Sequence, residues 1–168
     1  MQKLYPDDSL TLHTDLYQLN MMKTYWELGR ADRHAVFECY FREMPFKTGY
    51  AIFAGLERLV RYLENLHFTE SDIAYLRDVT GYPEEFLDYL TQFKFSCTVR
   101  SALEGDLVFS NEPIVQIEGP LAQAQLIETA LLNMVNFQTL IATKAARIKS
   151  VFGDDPLLEF GSRRAQDV

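Results

Sequence analysis

The sequence predicts an α+β fold. Three observations carry that reading. Apolar residues recur at helical spacing in separate segments, runs rich in β-branched and aromatic residues lie between them, and proline, glycine or polar clusters mark the junctions. Of the 168 residues, 48% are hydrophobic and 24% charged, enough apolar surface for a core and no bias toward low complexity or disorder.

A first helix is expected over residues 10–28, with Thr14-Asp15 at its start, Leu16, Leu19 and Met22 as its apolar side, and Gly29 as its stop. Residues 34–41 and 50–53 read as two strands, a hairpin or a loop-linked pair around Pro45 and Gly49. Leu56, Leu59, Val60 and Leu63 have helical spacing, and Thr69 with Asp72 has the form of a capping box for the next helix. Pro83 opens another, with Phe86, Leu87, Leu90 and Phe93 on one face.

Residues 95–103, 107–109 and 114–117 read as antiparallel strands. The longest helical pattern runs from Pro120 to about Phe152 through Leu121, Leu126, Leu131, Val135, Leu140 and Ile148, with Gly153 as the stop and a kink or break expected near Asn136. Leu157, Leu158 and Phe160 then suggest a short strand leading into Gly161-Ser162-Arg163-Arg164. The expected organisation is an α+β domain over residues 1–119, a linking helical region over 120–156, and the start of a truncated α/β region over 157–168.

A net charge of -8 argues against a general nucleic-acid binder, which needs a basic stripe to displace phosphate counterions. An anionic ligand would need a few basic residues gathered locally. Cys39 and Cys97 are far apart, without zinc-ligand spacing, and read as free thiols in a reducing compartment. The N-terminal stretch is charged where a signal peptide is apolar, and no apolar stretch approaches the ~20 residues of a membrane span. A cytoplasmic protein with no membrane partner is expected.

The most suggestive stretch is Glu159-Phe160-Gly161-Ser162-Arg163-Arg164, because arginines at the carboxyl end of a strand can hold phosphate or carboxylate through paired hydrogen bonds. The plainer alternative is a pair of solvated arginines. In Asp15-Leu16-Tyr17-Gln18 a tyrosine near a helix start could stack on a flat heterocycle, or simply pack. Lys144 and Arg147 share a helix face that is solvated by default. Glu128, Thr129 and Asn133 interrupt an apolar run and suggest an internal polar contact between helices. His13, His34 and His67 are scattered, with no nucleophile arranged beside them.

Taken together, several stretches resemble the nicotinate phosphoribosyltransferase family in order and spacing. They are Thr14-Asp15-Leu16-Tyr17-Gln18-Leu19, Phe41-Arg42 with Pro45, Ala54-Gly55-Leu56-Glu57, Glu112-Pro113 through Glu118-Gly119-Pro120, Glu128-Thr129 with Leu132-Asn133, Ala142-Thr143-Lys144-Ala145-Ala146-Arg147, and Glu159-Phe160-Gly161-Ser162-Arg163-Arg164-Ala165-Gln166. The resemblance covers the chain from about residue 10 onward.

The resemblance implies the N-terminal mixed helix and antiparallel-sheet domain of a type II phosphoribosyltransferase, a long linking helix, and the first strand of an incomplete α/β barrel. It implies an enzyme of the ATP-dependent ligase class that joins nicotinate to 5-phosphoribosyl-1-pyrophosphate, giving nicotinate mononucleotide and pyrophosphate in NAD salvage, with ATP and Mg2+ required. It also implies a homodimer with shared active sites. Phe160 would stack on one face of nicotinate and Tyr17 of the partner subunit on the other. Arg163 would contact the anionic substrates, and Arg42 would reach a phosphate across the dimer. Asp15 would orient the pyridine or a nearby arginine, with Lys144 and Arg147 as weaker candidates.

No catalytic residue is assigned, because the histidine that the family phosphorylates is expected beyond Val168; the 168 residues alone are therefore expected to be inactive. Nicotinamide and quinolinate phosphoribosyltransferases, and a non-catalytic dimerising or binding module derived from the family, remain alternatives.

Overall fold

The computed structural model describes residues 10–161 and residue 163. Among them the chain forms α1 (Leu16–Glu27), β1 (His34–Cys39), β2 (Ala51–Ile52), α2 (Leu56–Glu64), α3 (Glu70–Thr80), α4 (Glu84–Thr91), β3 (Thr98–Ser101), β4 (Leu107–Val108), β5 (Val115–Pro120), α5 (Leu121–Leu126) and α6 (Glu128–Phe152). A short 3-10 turn, Pro45–Lys47, interrupts the connection from β1 to β2. This is the α+β architecture expected, a mixed arrangement of helices and antiparallel sheet.

Local signals place the helices well. Thr69 accepts from the Asp72 N–H at 3.1 Å while the Asp72 carboxylate accepts from the Thr69 N–H at 2.9 Å, a complete capping box for α3. Pro83 caps α4, whose Phe86, Leu87 and Leu90 are fully buried. At α2 the cap comes from far away in sequence. The Glu104 carboxylate accepts from the Gly55, Leu56 and Glu57 N–H groups at 2.9, 2.6 and 3.3 Å, taking up donors that the first helical turn leaves unpaired.

The later strands are antiparallel as expected, but the expected pairing of the first two strands with each other does not form. β1 pairs with β5 instead of β2, and β3 pairs with β5 on its other side, giving a three-stranded antiparallel sheet in the order β1-β5-β3. β2 pairs with β4 in a second, two-stranded sheet, so β4 and β5 do not form a hairpin with each other. The physical reason is that β5 carries Val115 and Ile117 on its buried face and can satisfy both neighbours, whereas the segment between β1 and β2 turns away through Pro45–Lys47. At the end of β5, Gly119 leaves room for the close approach of Cys97: a Cβ there would stand 2.7 Å from Cys97 Sγ.

The long helical pattern does break, at Ile127 and not near Asn136. Ile127 (φ -82, ψ -5) separates α5 from α6 and is itself buried, so its apolar side chain continues the periodic pattern while its backbone ends the helix. The first helix begins at Leu16, later than residue 10. Residues 156–161 have no strand partner, and Leu158 and Phe160 are exposed, so the strand expected there is not formed among the described residues. A lone extended segment leaves its backbone groups unpaired, and pairing is what makes it a strand.

The core lies between the helices and the inner faces of the sheets, around Leu19, Met22, Phe53, Leu59, Phe86 and Val115. Trp26 and Tyr82 pack on Phe86 with ring centroids 5.5 and 5.4 Å away, and the Tyr82 hydroxyl donates to Asn20 at 2.7 Å, fixing α1 against α4. No described helix is long and apolar enough to cross a membrane.

Candidate functional site

The site is built where the start of α1 meets the start of α6. Asp15 occupies the N-cap of α1 in an extended conformation, yet its carboxylate makes no cap hydrogen bond to that helix. It turns outward and accepts from the Thr129 hydroxyl at 2.9 Å instead. Thr14 donates to the Leu126 carbonyl at 3.3 Å, a second tie between α1 and the α5–α6 junction.

One turn further, Tyr17 and Gln18 point different ways. Gln18 is fully buried, and its Nε2 donates to the Tyr17 hydroxyl at 2.8 Å and to Glu128 Oε2 at 2.5 Å. Its Oε1 accepts from Gln125 Nε2 at 2.6 Å, and the Tyr17 hydroxyl donates to Glu128 Oε2 at 3.3 Å. The polar insertion at Glu128 and Thr129 is thus the interhelical contact the sequence suggests. Partial desolvation, then the charge and hydrogen bond of Glu128, then Asp15, push the Tyr17 hydroxyl above its ordinary pKa and keep it protonated.

The Tyr17 ring itself stays 48% exposed. It faces an open cleft of about 650 Å³ whose wall also includes Asp15, Arg42, Thr129, Asn133 and Asn136. Arg42 reaches this wall from the segment after β1, which is stitched down by the Ile114 N–H to the Cys39 carbonyl and by the Asn111 N–H to the Phe41 carbonyl, both at 2.8 Å. Three sequence-predicted site residues, Asp15, Tyr17 and Arg42, therefore share one cleft.

The other candidates lie elsewhere. Phe160 (85% exposed) and Arg163 are on the surface outside the cleft, and Ser162 and Arg164 fall outside the described residues. Lys144 and Arg147 are exposed on α6 and do not line it. Their neighbour Thr143 is buried, accepting from the Ile52 N–H at 2.9 Å, so that turn of α6 is anchored for structural reasons. Cys39 and Cys97 are free thiols that burial pushes up to about 11. Sequence reasoning did not single out Gln125, although its spacing of three from Glu128 places both on one side of the junction.

Residues 12–136 match the family model described as the nicotinate phosphoribosyltransferase (NAPRTase) N-terminal domain. The chain belongs to the nicotinate phosphoribosyltransferase family. It is 59% identical to the nicotinate phosphoribosyltransferase of Bacillus subtilis over 98% of its length and 34% of that protein. With the Caenorhabditis elegans nicotinate phosphoribosyltransferase it shares 45% identity over 95% of its length and 29% of the relative. Among solved structures, the human nicotinic acid phosphoribosyltransferase superposes with a TM-score of 0.83 at 41% identity, covering 92% of this chain and 32% of that one. The chain thus spans about a third of the length of the relatives it matches, and the fold described above is that of the family's N-terminal region.

Proposed function

We propose that this chain supplies the pyridine- and phosphate-facing wall of a nicotinate phosphoribosyltransferase that joins nicotinate to 5-phosphoribosyl-1-pyrophosphate with ATP hydrolysis coupled to turnover. The observation that carries the reading is the convergence of Tyr17, Asp15 and Arg42 on one cleft in a chain of this family. Relatives bearing the nicotinate phosphoribosyltransferase name support the substrate, and the rest of the active site would come from sequence matching the two thirds of those relatives that this chain does not span.

The chemistry suits these side chains. As the bond from ribose C1 to pyrophosphate breaks, the sugar gains positive and the leaving group negative charge, so fixed guanidinium groups beside the phosphates stabilise the transition state. Arg42, exposed on the cleft wall, would contact a phosphate across a homodimer, as a guanidinium can through paired hydrogen bonds. The half-exposed Tyr17 ring offers an apolar face to the pyridine, while the exposed Phe160, outside this cleft, is free to cover the other face from the partner subunit. Arg163 would then meet the anionic substrates beside Phe160, and Asp15 would orient the ring or an arginine near it.

Magnesium, which the family resemblance implies, has no ready-made cage among the described residues. Among the described residues no three His, Cys, Asp or Glu groups are gathered for a metal, and Asp15 and Glu128 are already engaged by Thr129, Gln18 and Tyr17. The ion enters the proposal only as a companion of the pyrophosphate group.

The reading is tested by substrate competition in a form of the chain extended to the length of its relatives. Nicotinate is expected to be consumed in preference to nicotinamide and quinolinate. Preferential use of either competitor would overturn the substrate assignment, and a protein that uses none of the three would support a non-catalytic module.

A further inference from the structure

The Tyr17 ring is half exposed, so packing alone does not hold it, and a tyrosine has two side-chain torsions to lose when a ligand stacks on it. Its hydroxyl, however, sits at the outer end of a hydrogen-bonded chain whose root is buried. Gln18 is fully buried and Gln125 nearly so, and each amide is oriented by the other through the 2.6 Å bond from Gln125 Nε2 to Gln18 Oε1. With Gln18 Oε1 committed as acceptor, its Nε2 must point the opposite way, toward Tyr17 and Glu128. Glu128 Oε2 gathers three donors, from Gln18, Gln125 and Tyr17. The helix break at Ile127 is what allows this, because it sets Gln125 at the end of α5 and Glu128 at the start of α6 against the same side chain of α1.

We propose that Gln18, Gln125 and Glu128 are positioning residues that fix the Tyr17 ring in advance for the pyridine substrate. The inference rests on the reading of Tyr17 as the pyridine-facing residue. Gln18 and Gln125 are buried behind the cleft, while Glu128 lines it beside Tyr17; all three act through the hydroxyl of Tyr17. Orientation set before binding spares the ordering cost of a mobile ring when the substrate arrives. The gain is shared by bound substrate and transition state, so it shows in KM for nicotinate and not in kcat.

The test uses the full-length protein carrying Glu128→Gln, Tyr17→Phe or both. Glu128→Gln keeps the shape but removes the charge that gathers the donors. Tyr17→Phe keeps the ring but removes its anchor, and because the residue is half exposed it leaves folding intact. Each variant is expected to raise KM for nicotinate roughly three- to tenfold, the cost of ordering one side chain, with kcat nearly unchanged. The double variant is expected to be no worse than Tyr17→Phe alone, since both changes cut the same link.

Tyrosine-ring NMR on the same proteins reads the link without turnover. The Tyr17 signal, assigned by its loss in Tyr17→Phe, is expected to titrate at lower pH in Glu128→Gln. A Tyr17 signal that ignores Glu128→Gln, additive losses in the double variant, or an unchanged KM in Tyr17→Phe would each overturn the positioning role. A hydroxyl that responds as expected in a protein that does not turn over nicotinate would instead overturn the reading of the cleft as a pyridine site, and the proposal with it.

Discussion

Thr129 donates its hydroxyl to the Asp15 carboxylate at 2.9 Å, so the N-cap of α1 is tied to the first turn of α6 across the mouth of the cleft. A hydrogen bond to a carboxylate at a partly exposed site contributes about 1 kcal/mol. Thr129→Val, which keeps the volume and removes the donor, is expected to lower stability by about that amount, read as a thermal midpoint roughly 2–4 °C lower. An unchanged midpoint would show that the bond only orients Asp15.

Gly55 presents a sharper constraint. Its φ of 108° is in the region that side chains avoid, and a Cβ would stand 2.9 Å from the Met134 carbonyl oxygen and 3.2 Å from Val135 Cα. Gly81 also has a positive φ, 64°, but faces open space. Gly81→Ala is therefore expected to cost about 1 kcal/mol and Gly55→Ala on the order of 3 kcal/mol, because only the second adds a backbone clash to the conformational strain. Denaturant midpoints of the two variants compare them directly; equal losses would mean that α6 moves aside freely.

The thiols of Cys39 and Cys97 are pushed up to about 11 by burial. At pH 8 they hold about a hundredfold less thiolate than a thiol ionising at 9, so alkylation of the native chain is expected to be slower by about that factor and to become fast on unfolding. The folded pKa is the higher one, so the unfolded chain binds fewer protons between about 9 and 11. Stability is fully present below that window and falls as pH rises through it. Alkylation of the native chain as fast as of a model thiol would contradict both statements.

What the sequence reveals depends on how local the physics is. The capping box of Thr69 and Asp72 and the buried face of α4 are written within a few residues, and both form as expected. The pairing of β1 with β5 joins residues 34–39 to residues 115–120, and nothing in either run says that it prefers that partner over its sequence neighbour. Ile127 breaks the long helix while looking like one more apolar position. In the site, Asp15, Tyr17 and Arg42 were marked by family resemblance and share the cleft, whereas Gln125 carries no local signal because glutamines are ordinary on helices. Its role appears only when Gln18 is seen buried against it.

The most direct test of the central claim is kcat/KM for nicotinate mononucleotide formation from nicotinate, phosphoribosyl pyrophosphate, ATP and magnesium. It is measured in a form extended to the length of the relatives, with and without Tyr17→Ala and Arg42→Ala, alongside the 168-residue chain. The account predicts product from the extended protein, a loss of at least about tenfold in each variant, on the order of 1.4 kcal/mol of transition-state stabilisation, and no product from the 168 residues alone. Full activity in both variants, or turnover by the 168-residue chain, would contradict it.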